Sequence, residues 1–152
     1  MNTSDISKID ISNFLPHRDP MLMVTSVLEI DGNEITTQFK ITEDCVFLKN
    51  GRLSEVGLIE NAAQAASGVV GQTFFDKEDT EGKGNKLVGY ISAIRKVEIF
   101  QLPEVGNTII TKSKLISRVD TGEMTMCSLA SETFIGEKLI VSSTMNFLIH
   151  EV

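Results

Sequence analysis

One stretch of the sequence carries a carboxylate in otherwise small and apolar surroundings. In GLIENAAQAASGVVGQ (57–72), helical spacing places Glu60 and Gln64 on a narrow polar stripe. The stretch contains no Lys or Arg that could neutralise Glu60. A carboxyl group enclosed in this way is suited to proton transfer, so Glu60 is the first candidate for acid–base catalysis. The alternative is a purely structural carboxylate that is hydrogen-bonded to Gln64 one turn on or exposed at the helix start.

A histidine near the start of the chain offers a second proton-transferring group. His17 lies between Pro16 and Pro20 in FLPHRDPMLMV (14–24). An imidazole can accept and donate a proton at about pH 7. The flanking prolines predict a turn, in which a histidine can also serve only to hold the backbone. The sequence leaves both roles of His17 open.

The cysteines and histidines are too few and too scattered for a metal site. Cys45 and Cys127 show no CxxC or zinc-ligand spacing, and we expect free, buried thiols. The only other histidine, His150, is predicted to be a surface residue. We therefore expect no metal.

The composition is that of a single globular domain spanning residues 1–152. Hydrophobic residues make up 41% and charged residues 23% of the chain, so long disordered tails are not expected. The net charge of -7 argues against a nucleic-acid partner. We find neither a secretory signal nor a window long enough to span a membrane, which predicts a cytoplasmic protein.

Glycine-containing turns and alternating side chains predict a β-rich chain. Hairpin turns are expected in EIDGNEI (29–35), VDTGEM (119–124) and, with a weaker signal, FIGEKL (134–139). A polar connector is expected at 75–86. Strands are predicted at 21–30, 34–41, 87–100, 107–119 and 139–149.

Only one long helix is predicted, from the N-cap Ser54 to about residue 73. Its nearly continuous apolar surface suits a helix enclosed by other structure. An antiparallel sheet of five to six strands can bury one face by curling around such a helix, which gives an α+β roll. The sheet would retain unpaired edges, and we expect a symmetric homodimer that covers them.

Three motifs in this order resemble the hotdog-fold β-hydroxyacyl-acyl-carrier-protein dehydratases. They are the opening FLPHRDPMLMV (14–24), the helix segment IENAAQAAS (59–67) and the strand and turn GYISAIRKVEIFQLPEVGN (89–107). The resemblance extends from about Phe14 to Ile149. It implies a hotdog fold, in which a curled sheet wraps one long central helix.

The sequence departs from those dehydratases just before the helix. Their Gly-His-Phe-Pro loop supplies a catalytic histidine, whereas EDCVFLKNGRLSEVG (43–57) is shorter and contains none. This entry, together with the Pro-His-Arg-x-Pro-Met opening, is more similar to the divergent dehydratases of aryl polyene and flexirubin-type pigment pathways. His17 is then the best available replacement for the missing group.

The resemblance implies dehydration of a β-hydroxyacyl thioester, with Glu60 and His17 as catalytic candidates. The substrate would be carried on the phosphopantetheine of an acyl carrier protein or on CoA, and no cofactor is expected. Asn50, Arg52 and Asn61 could bind the substrate hydroxyl or the carrier phosphate, or could only anchor loops. For Gln64, orienting Glu60 or bonding a backbone group is an alternative to touching substrate. The predicted substrate-binding residues are Asn50, Arg52, Ser54, Gly57, Asn61 and Gln64.

Two other functions fit the same scaffold. Hotdog thioesterases use a helix carboxylate to activate water, so hydrolysis of an acyl thioester is one alternative. The missing loop histidine motivates the other, a non-catalytic acyl-binding subunit paired with a complete dehydratase. A higher oligomer and a heteromer with another dehydratase subunit are therefore alternatives to the homodimer.

Overall fold

The computed structural model of the protein describes residues 15–74 and 87–151. Residues 1–14, the predicted connector at 75–86 and the last residue lie outside this description. The described residues form one helix and eight strands. In chain order these are β1 (Ser26–Ile30), β2 (Glu34–Lys40), β3 (Leu48–Lys49), β4 (Arg52–Leu53), α1 (Glu55–Phe74), β5 (Leu87–Ile99), β6 (Thr108–Asp120), β7 (Thr125–Ile135) and β8 (Lys138–Glu151).

Six of the strands form one antiparallel sheet, and α1 packs against it. The strand order is β1-β2-β6-β7-β8-β5, and each neighbouring pair is antiparallel. The helix lies mainly against β2, β6 and β7. The predicted α+β architecture is confirmed, with six strands and one long helix in the hotdog arrangement.

Small residues allow α1 to approach the sheet closely. Ala62, Ala65, Ala66 and Val69 are at most 1% exposed. Ala62, Ala66 and Val69 pack with side chains of the strands in one buried cluster, and Leu58 near the start of α1 packs in a second. Removing this apolar surface from water is the main source of stability, and it fixes which side of α1 remains open.

The three predicted hairpin turns are confirmed. Between β1 and β2, Asp31 Oδ1 accepts hydrogen bonds from the N–H groups of Asn33 (2.7 Å) and Glu34 (2.9 Å). The turns after β6 and β7 contain Gly122 and Gly136, with φ values of 91° and 57°. Glycine adopts such positive φ values without steric cost.

A further hairpin, β3–β4, was not predicted. Lys49 pairs with Arg52 across a turn formed by Asn50 and Gly51, whose φ values are 54° and 74°. Positive φ at both central residues defines a type I′ turn, for which Asn-Gly is a strong sequence signal. The signal is present in the sequence, but its two flanking strands are too short to show alternation.

The strand predicted at 21–30 is shorter in the structure, because β1 begins only at Ser26. The preceding backbone is bonded to side chains of α1. Gln64 bonds to Met21 O and Met23 N, and Asn61 bonds to Met23 O. These backbone groups are not available to a neighbouring strand, so the strand prediction for residues 21–25 is wrong.

Strand β5 forms one edge of the sheet and is largely uncovered. None of residues 89–98 is buried. Tyr90, Ile91 and Ile94 are 49%, 43% and 48% exposed. A long edge strand with exposed apolar side chains is a template for pairing with another chain.

Both cysteines are free thiols, as expected. Cys127 is buried, whereas Cys45 is only half-buried, with its Sγ 3.8 Å from Met23 Sδ. Burial raises the pKa of the Cys127 thiol, and the positive charge of Arg118 acts in the opposite direction. No helix in the described part of the chain is long and apolar enough to span a bilayer.

Candidate active site

Glu60 lies in the second turn of α1, on the polar stripe predicted from the sequence. Its side chain is half-buried, with 29% of its surface exposed. Oε1 accepts a hydrogen bond of 2.9 Å from Gln64 Nε2. No hydrogen bond from the described residues reaches Oε2. This second oxygen is therefore available to a substrate.

His17 faces Glu60 from the turn in the opening segment. Its Nε2 lies 3.8 Å from Glu60 Oε1, which is too long for a hydrogen bond but close enough for an ion pair when the imidazole is protonated. The turn is closed by hydrogen bonds from the N–H groups of Met21 and Leu22 to Arg18 O. His17 Nδ1 is buried and has no hydrogen-bond partner within the described residues.

Gln64 connects Glu60 to the opening segment. Its side chain is almost fully buried. Oε1 accepts the N–H of Met23 at 2.7 Å, and Nε2 donates to Met21 O at 2.8 Å as well as to Glu60. Because Oε1 must face the Met23 N–H, the amide can present only its Nε2 to Glu60. The geometry favours orientation of Glu60 over direct substrate contact for this residue.

Asn61 is fully buried and is bonded entirely within the protein. Its Nδ2 donates to Met23 O at 2.7 Å, and its Oδ1 accepts from Thr111 Oγ1 at 2.7 Å. The Thr111 hydroxyl is also 2.9 Å from Thr133 Oγ1. These bonds tie the opening segment and α1 to β6 and β7. Both polar atoms of Asn61 have partners within the protein, which favours a structural role. The substrate contact predicted for Asn61 stays a prediction.

The remaining polar candidates lie in a separate cleft at the start of α1. Asn50, Arg52 and Ser54 line this cleft, which has a volume of about 420 Å³, together with Lys49, Glu55 and Leu102. Five residues of α-helix turn through about 500°, so Glu55 and Glu60 point about 140° apart around α1. The structure thus divides the candidates between the Glu60 site and a cationic cleft.

The residues at the beginning of α1 form a tightly packed corner. The Ser54 carbonyl accepts the Leu58 N–H at 3.1 Å, which places Ser54 at the N-cap position. The N–H groups of the following three residues have no partner inside the helix. At buried Gly57, a Cβ would lie 2.4 Å from Leu53 Cδ1. Close packing against Leu53 therefore explains why a glycine occupies position 57. The substrate contact predicted for Gly57 stays a prediction.

Two buried threonines of this network, Thr111 and Thr133, were missed in the sequence. Both are 0% exposed. An inward-facing threonine in a strand resembles any β-branched core residue, so only the tertiary contacts of Thr111 with Asn61 and with Thr133 show this function. Among residues 15–74 and 87–151, no group of three or more His, Cys, Asp or Glu side chains could hold a metal ion.

Comparison with known sequences identifies the family. Residues 9–147 match the profile of a family described as ApeP dehydratase. The chain belongs to the ApeP-like dehydratase family. It is also 29% identical over 146 residues to the 3-hydroxyacyl-[acyl-carrier-protein] dehydratase FabZ of Streptococcus sanguinis, covering 93% of this chain and 98% of that relative. The FabZ of Streptococcus gordonii is 28% identical over 141 residues, with coverages of 91% and 94%.

These relationships confirm the resemblance seen in the motifs. Membership of the ApeP-like family and similarity to FabZ support dehydration of hydroxyacyl thioesters as the reaction of this chain. The chain is therefore a dehydratase-like lyase.

Solved structures confirm the fold. The dehydratase heterocomplex ApeI:P from Xenorhabdus doucetiae superposes with a TM-score of 0.75 at 19% identity, covering 95% of this chain and 91% of that chain. Cj0977 of Campylobacter jejuni gives 0.68 at 14% identity, with coverages of 99% and 92%. A hypothetical thioesterase of Streptococcus pneumoniae gives 0.60 at 10% identity, with coverages of 82% and 86%. At these identities the likeness concerns the fold alone.

Proposed function

We propose that this chain converts β-hydroxyacyl thioesters to trans-2-enoyl thioesters with Glu60 and His17 as its acid–base pair. The observation that carries the proposal is the 3.8 Å approach of His17 Nε2 to Glu60 Oε1. It joins a helix carboxylate to the single histidine of the opening segment. The segment at 43–57, which precedes α1, contains no histidine. In this proposal His17 replaces the catalytic histidine that the loop before the helix supplies in the related dehydratases.

The two groups can complete a balanced elimination of water. Glu60 Oε2 accepts the proton of the substrate Cα, and the electron pair of that C–H bond forms the Cα–Cβ double bond. The Cβ–O bond breaks, and the hydroxyl leaves as water with a proton donated by the Glu60–His17 pair. The pair gains one proton and loses one, so it returns to its starting state.

The beginning of α1 can stabilise the negative charge that develops on the thioester oxygen. N–H groups of the first helical turn have no intrahelical acceptor and point out of the helix start. Fixed donors of this kind lower the energy of an enolate-like oxygen more than that of the neutral carbonyl. We assign this function to the backbone that follows Ser54, where no particular side chain is required.

The proposed substrate is an acyl group on the phosphopantetheine of an acyl carrier protein. The FabZ relatives are named for substrates of this class. The elimination changes no oxidation state overall, so the proposed reaction needs no cofactor. We propose a cytoplasmic location for this reaction.

The proposed assembly is a dimer formed through β5. This edge carries exposed apolar side chains along a strand of 13 residues, and pairing with a second β5 would satisfy its free backbone groups. The similar ApeI:P protein is a heterocomplex. A second dehydratase subunit is therefore the alternative partner for the same edge.

An assay of both possible products tests the proposed function. The purified protein is incubated with a β-hydroxyacyl N-acetylcysteamine thioester while enoyl absorbance and free thiol are followed. We expect enoyl product and a loss of about 10²- to 10⁴-fold in kcat for Glu60→Gln, because general acid–base catalysis contributes rate factors of this size. Glu132→Gln, a change of an exposed carboxylate on β7, is the control and should keep the wild-type rate.

The same assay separates the competing roles. Free thiol without enoyl product would indicate a thioesterase, and neither product would indicate a binding subunit. Unchanged turnover in Glu60→Gln would remove the site assignment. His17→Gln is the companion variant: a lower kcat supports its catalytic role, whereas lower stability with an unchanged kcat would make His17 a structural residue of the turn.

A further inference from the structure

Two side chains of α1 hold both backbone polar groups of one residue in the opening segment. Met23 O accepts a hydrogen bond from Asn61 Nδ2 at 2.7 Å, and the Met23 N–H donates to Gln64 Oε1 at 2.7 Å. Residues three apart in a helix lie on the same face, so one face of α1 supplies both bonds. Met23 is therefore the point at which α1 holds the segment that carries His17.

The backbone between His17 and Met23 is short and bonded to itself. The Met21 N–H donates to Arg18 O at 2.9 Å, and Arg18 Nη1 donates to His17 O at 2.8 Å. These bonds fix the shape of the turn, so a displacement of Met23 would be passed on to His17. It would change the distance between His17 Nε2 and Glu60 Oε1, which is 3.8 Å in the structure.

The hydrogen bonds behind Asn61 have a defined direction. Thr111 Oγ1 donates its single hydrogen to Asn61 Oδ1 at 2.7 Å. In the 2.9 Å contact between Thr111 Oγ1 and Thr133 Oγ1, the hydrogen must therefore come from Thr133. The series of donors begins at Thr133 and ends at Met23 O. Because Oδ1 faces the Thr111 hydroxyl, Asn61 can present only its Nδ2 to the Met23 carbonyl.

This series of donors is buried and starts in the middle of the sheet. Asn61, Thr111 and Thr133 are each 0% exposed. Thr111 and Thr133 are direct partners in the register of β6 and β7, the two central strands of the six. Water cannot replace a bond that is lost in such surroundings, and hydrogen bonds in series strengthen one another. The central strands therefore fix the orientation of the Asn61 amide.

We propose that Thr111 and Thr133 are positioning residues for the dehydration and act through Asn61 on the acid–base pair. Their hydroxyls orient the Asn61 amide, which holds Met23 O and thereby the segment of the catalytic histidine. Proton transfer is sensitive to small displacements of the groups that exchange the proton. The proposal rests on the proposed function, because it takes the acid–base pair as the catalytic group.

A second pair of hydroxyls on the same two strands provides a matched control. Ser113 Oγ and Ser131 Oγ are 2.7 Å apart, and the two residues are 1% and 4% exposed. They are direct partners in the same register. Within the described residues, no hydrogen bond joins this pair to α1. Ser131→Ala therefore removes a buried hydroxyl bond of the same kind and leaves Asn61 held.

Steady-state kinetics with a β-hydroxyacyl N-acetylcysteamine thioester test the positioning role. Thr111→Val keeps the β-branched shape and removes the hydroxyl, and we expect kcat to fall about tenfold or more while KM stays within about twofold. Thr133→Val leaves the bond from Thr111 to Asn61 in place, so its loss of kcat should be smaller. Thr111→Ser retains a hydroxyl and should recover most of kcat. Ser131→Ala should keep the wild-type kcat and KM.

Hydrogen exchange measured by NMR tests the same network without requiring catalysis. We expect the Met23 N–H of Thr111→Val to exchange about tenfold or more faster than in the wild type, because the segment is less firmly held to α1. The Leu129 N–H in β7 is the internal reference for the stability of the sheet. In Ser131→Ala the ratio of the two exchange rates should equal that of the wild type.

The outcomes separate this proposal from the proposed function. A wild-type kcat in folded Thr111→Val, or equal losses of kcat in Thr111→Val and Ser131→Ala, would overturn the positioning role. If Thr111→Val does not fold, Thr133→Val is compared with Ser131→Ala, and equal kcat values would overturn it likewise. A wild type that forms no enoyl product would refute the proposed function, and selective release of the Met23 N–H would then still support the hold of the threonines on the segment.

Discussion

At Glu60, the two carboxylate oxygens have different environments. Oε1 is bonded to Gln64 and faces His17, whereas Oε2 has no hydrogen bond from the described residues. One oxygen is therefore fixed and the other is open to a substrate. This asymmetry gives a carboxylate a defined direction for accepting a proton, which free rotation in solvent would not provide.

Replacement of Gln64 tests whether this orientation matters for catalysis. Gln64→Met keeps the volume of the side chain but removes the bond to Glu60 and leaves Met21 O and Met23 N–H unsatisfied. We expect the free energy of unfolding to fall by about 1–3 kcal/mol for each backbone group that loses its hydrogen bond. We also expect kcat to fall at least about tenfold with little change in KM, because proton transfer is sensitive to misplacement of its groups.

Ser67→Ala is the matched control for Gln64→Met. Ser67 lies on the same polar stripe of α1, and its hydroxyl donates to Gln64 O at 2.8 Å. It is not bonded to Glu60, so steady-state kinetics should give a wild-type kcat. An unchanged kcat in a folded Gln64→Met protein would show that Gln64 supports only the opening segment.

At the scale of the elements, the site depends on contacts between the start of α1 and β4. Gly57 allows this approach, because its missing side chain leaves room for Leu53. In Gly57→Ala the new Cβ would lie 2.4 Å from Leu53 Cδ1, 2.8 Å from Leu53 Cγ and 3.0 Å from Phe47 Cβ. The helix and the hairpin would have to separate, and we expect a loss of about 1–3 kcal/mol in denaturant unfolding.

Gly68→Ala provides the comparison within the same helix. Its new Cβ would meet Ile35 Cδ1 at 2.7 Å, the end of a side chain that can rotate away. Alanine also favours helix over glycine by about 1 kcal/mol. Gly68→Ala should therefore cost clearly less stability than Gly57→Ala. Equal losses in the two variants would contradict the tight corner at β4.

At the scale of the whole molecule, β5 and the open side of α1 have uncovered apolar surface in the single chain. Val56 at the start of α1 is 58% exposed, and Ile91 and Ile94 on β5 are 43% and 48% exposed. β5 also lies against α1. A partner paired with β5 would therefore approach the helix that carries Glu60 and reduce its access to water.

A charge placed on β5 tests the dimer. In Ile94→Asp, burial of an unpaired carboxylate would oppose pairing of the edges, and we expect dissociation to monomers at micromolar concentration with loss of dehydration. Ile116→Asp is the control, since Ile116 on β6 is 59% exposed and lies away from the β5 edge. Sedimentation velocity would distinguish the two. A dimeric Ile94→Asp protein would exclude this edge as the interface.

Much of the fold can be predicted from local patterns. The Asp31 turn and the glycines at 122 and 136 mark hairpins because their conformational preferences act over a few residues. The apolar surface of 58–70 likewise requires enclosure of the helix. The strand prediction for 21–25 fails because the backbone of Met23 is bonded to the side chains of Asn61 and Gln64. These two residues are about 40 positions away in the sequence, so no local pattern indicates the contact.

Local sequence patterns were sufficient to predict one antiparallel sheet around one helix, Glu60 and His17 as candidates for proton chemistry, and Gln64 as a residue that orients Glu60 or contacts substrate. These conclusions follow from periodicity and residue type, which are local. The folded chain was needed to show that His17 faces Glu60, that Asn61 and Gln64 hold the opening segment, and that Lys49 and Arg52 line a different cleft. Distances between remote segments are set by packing of the whole chain, because no local preference specifies which side chains meet.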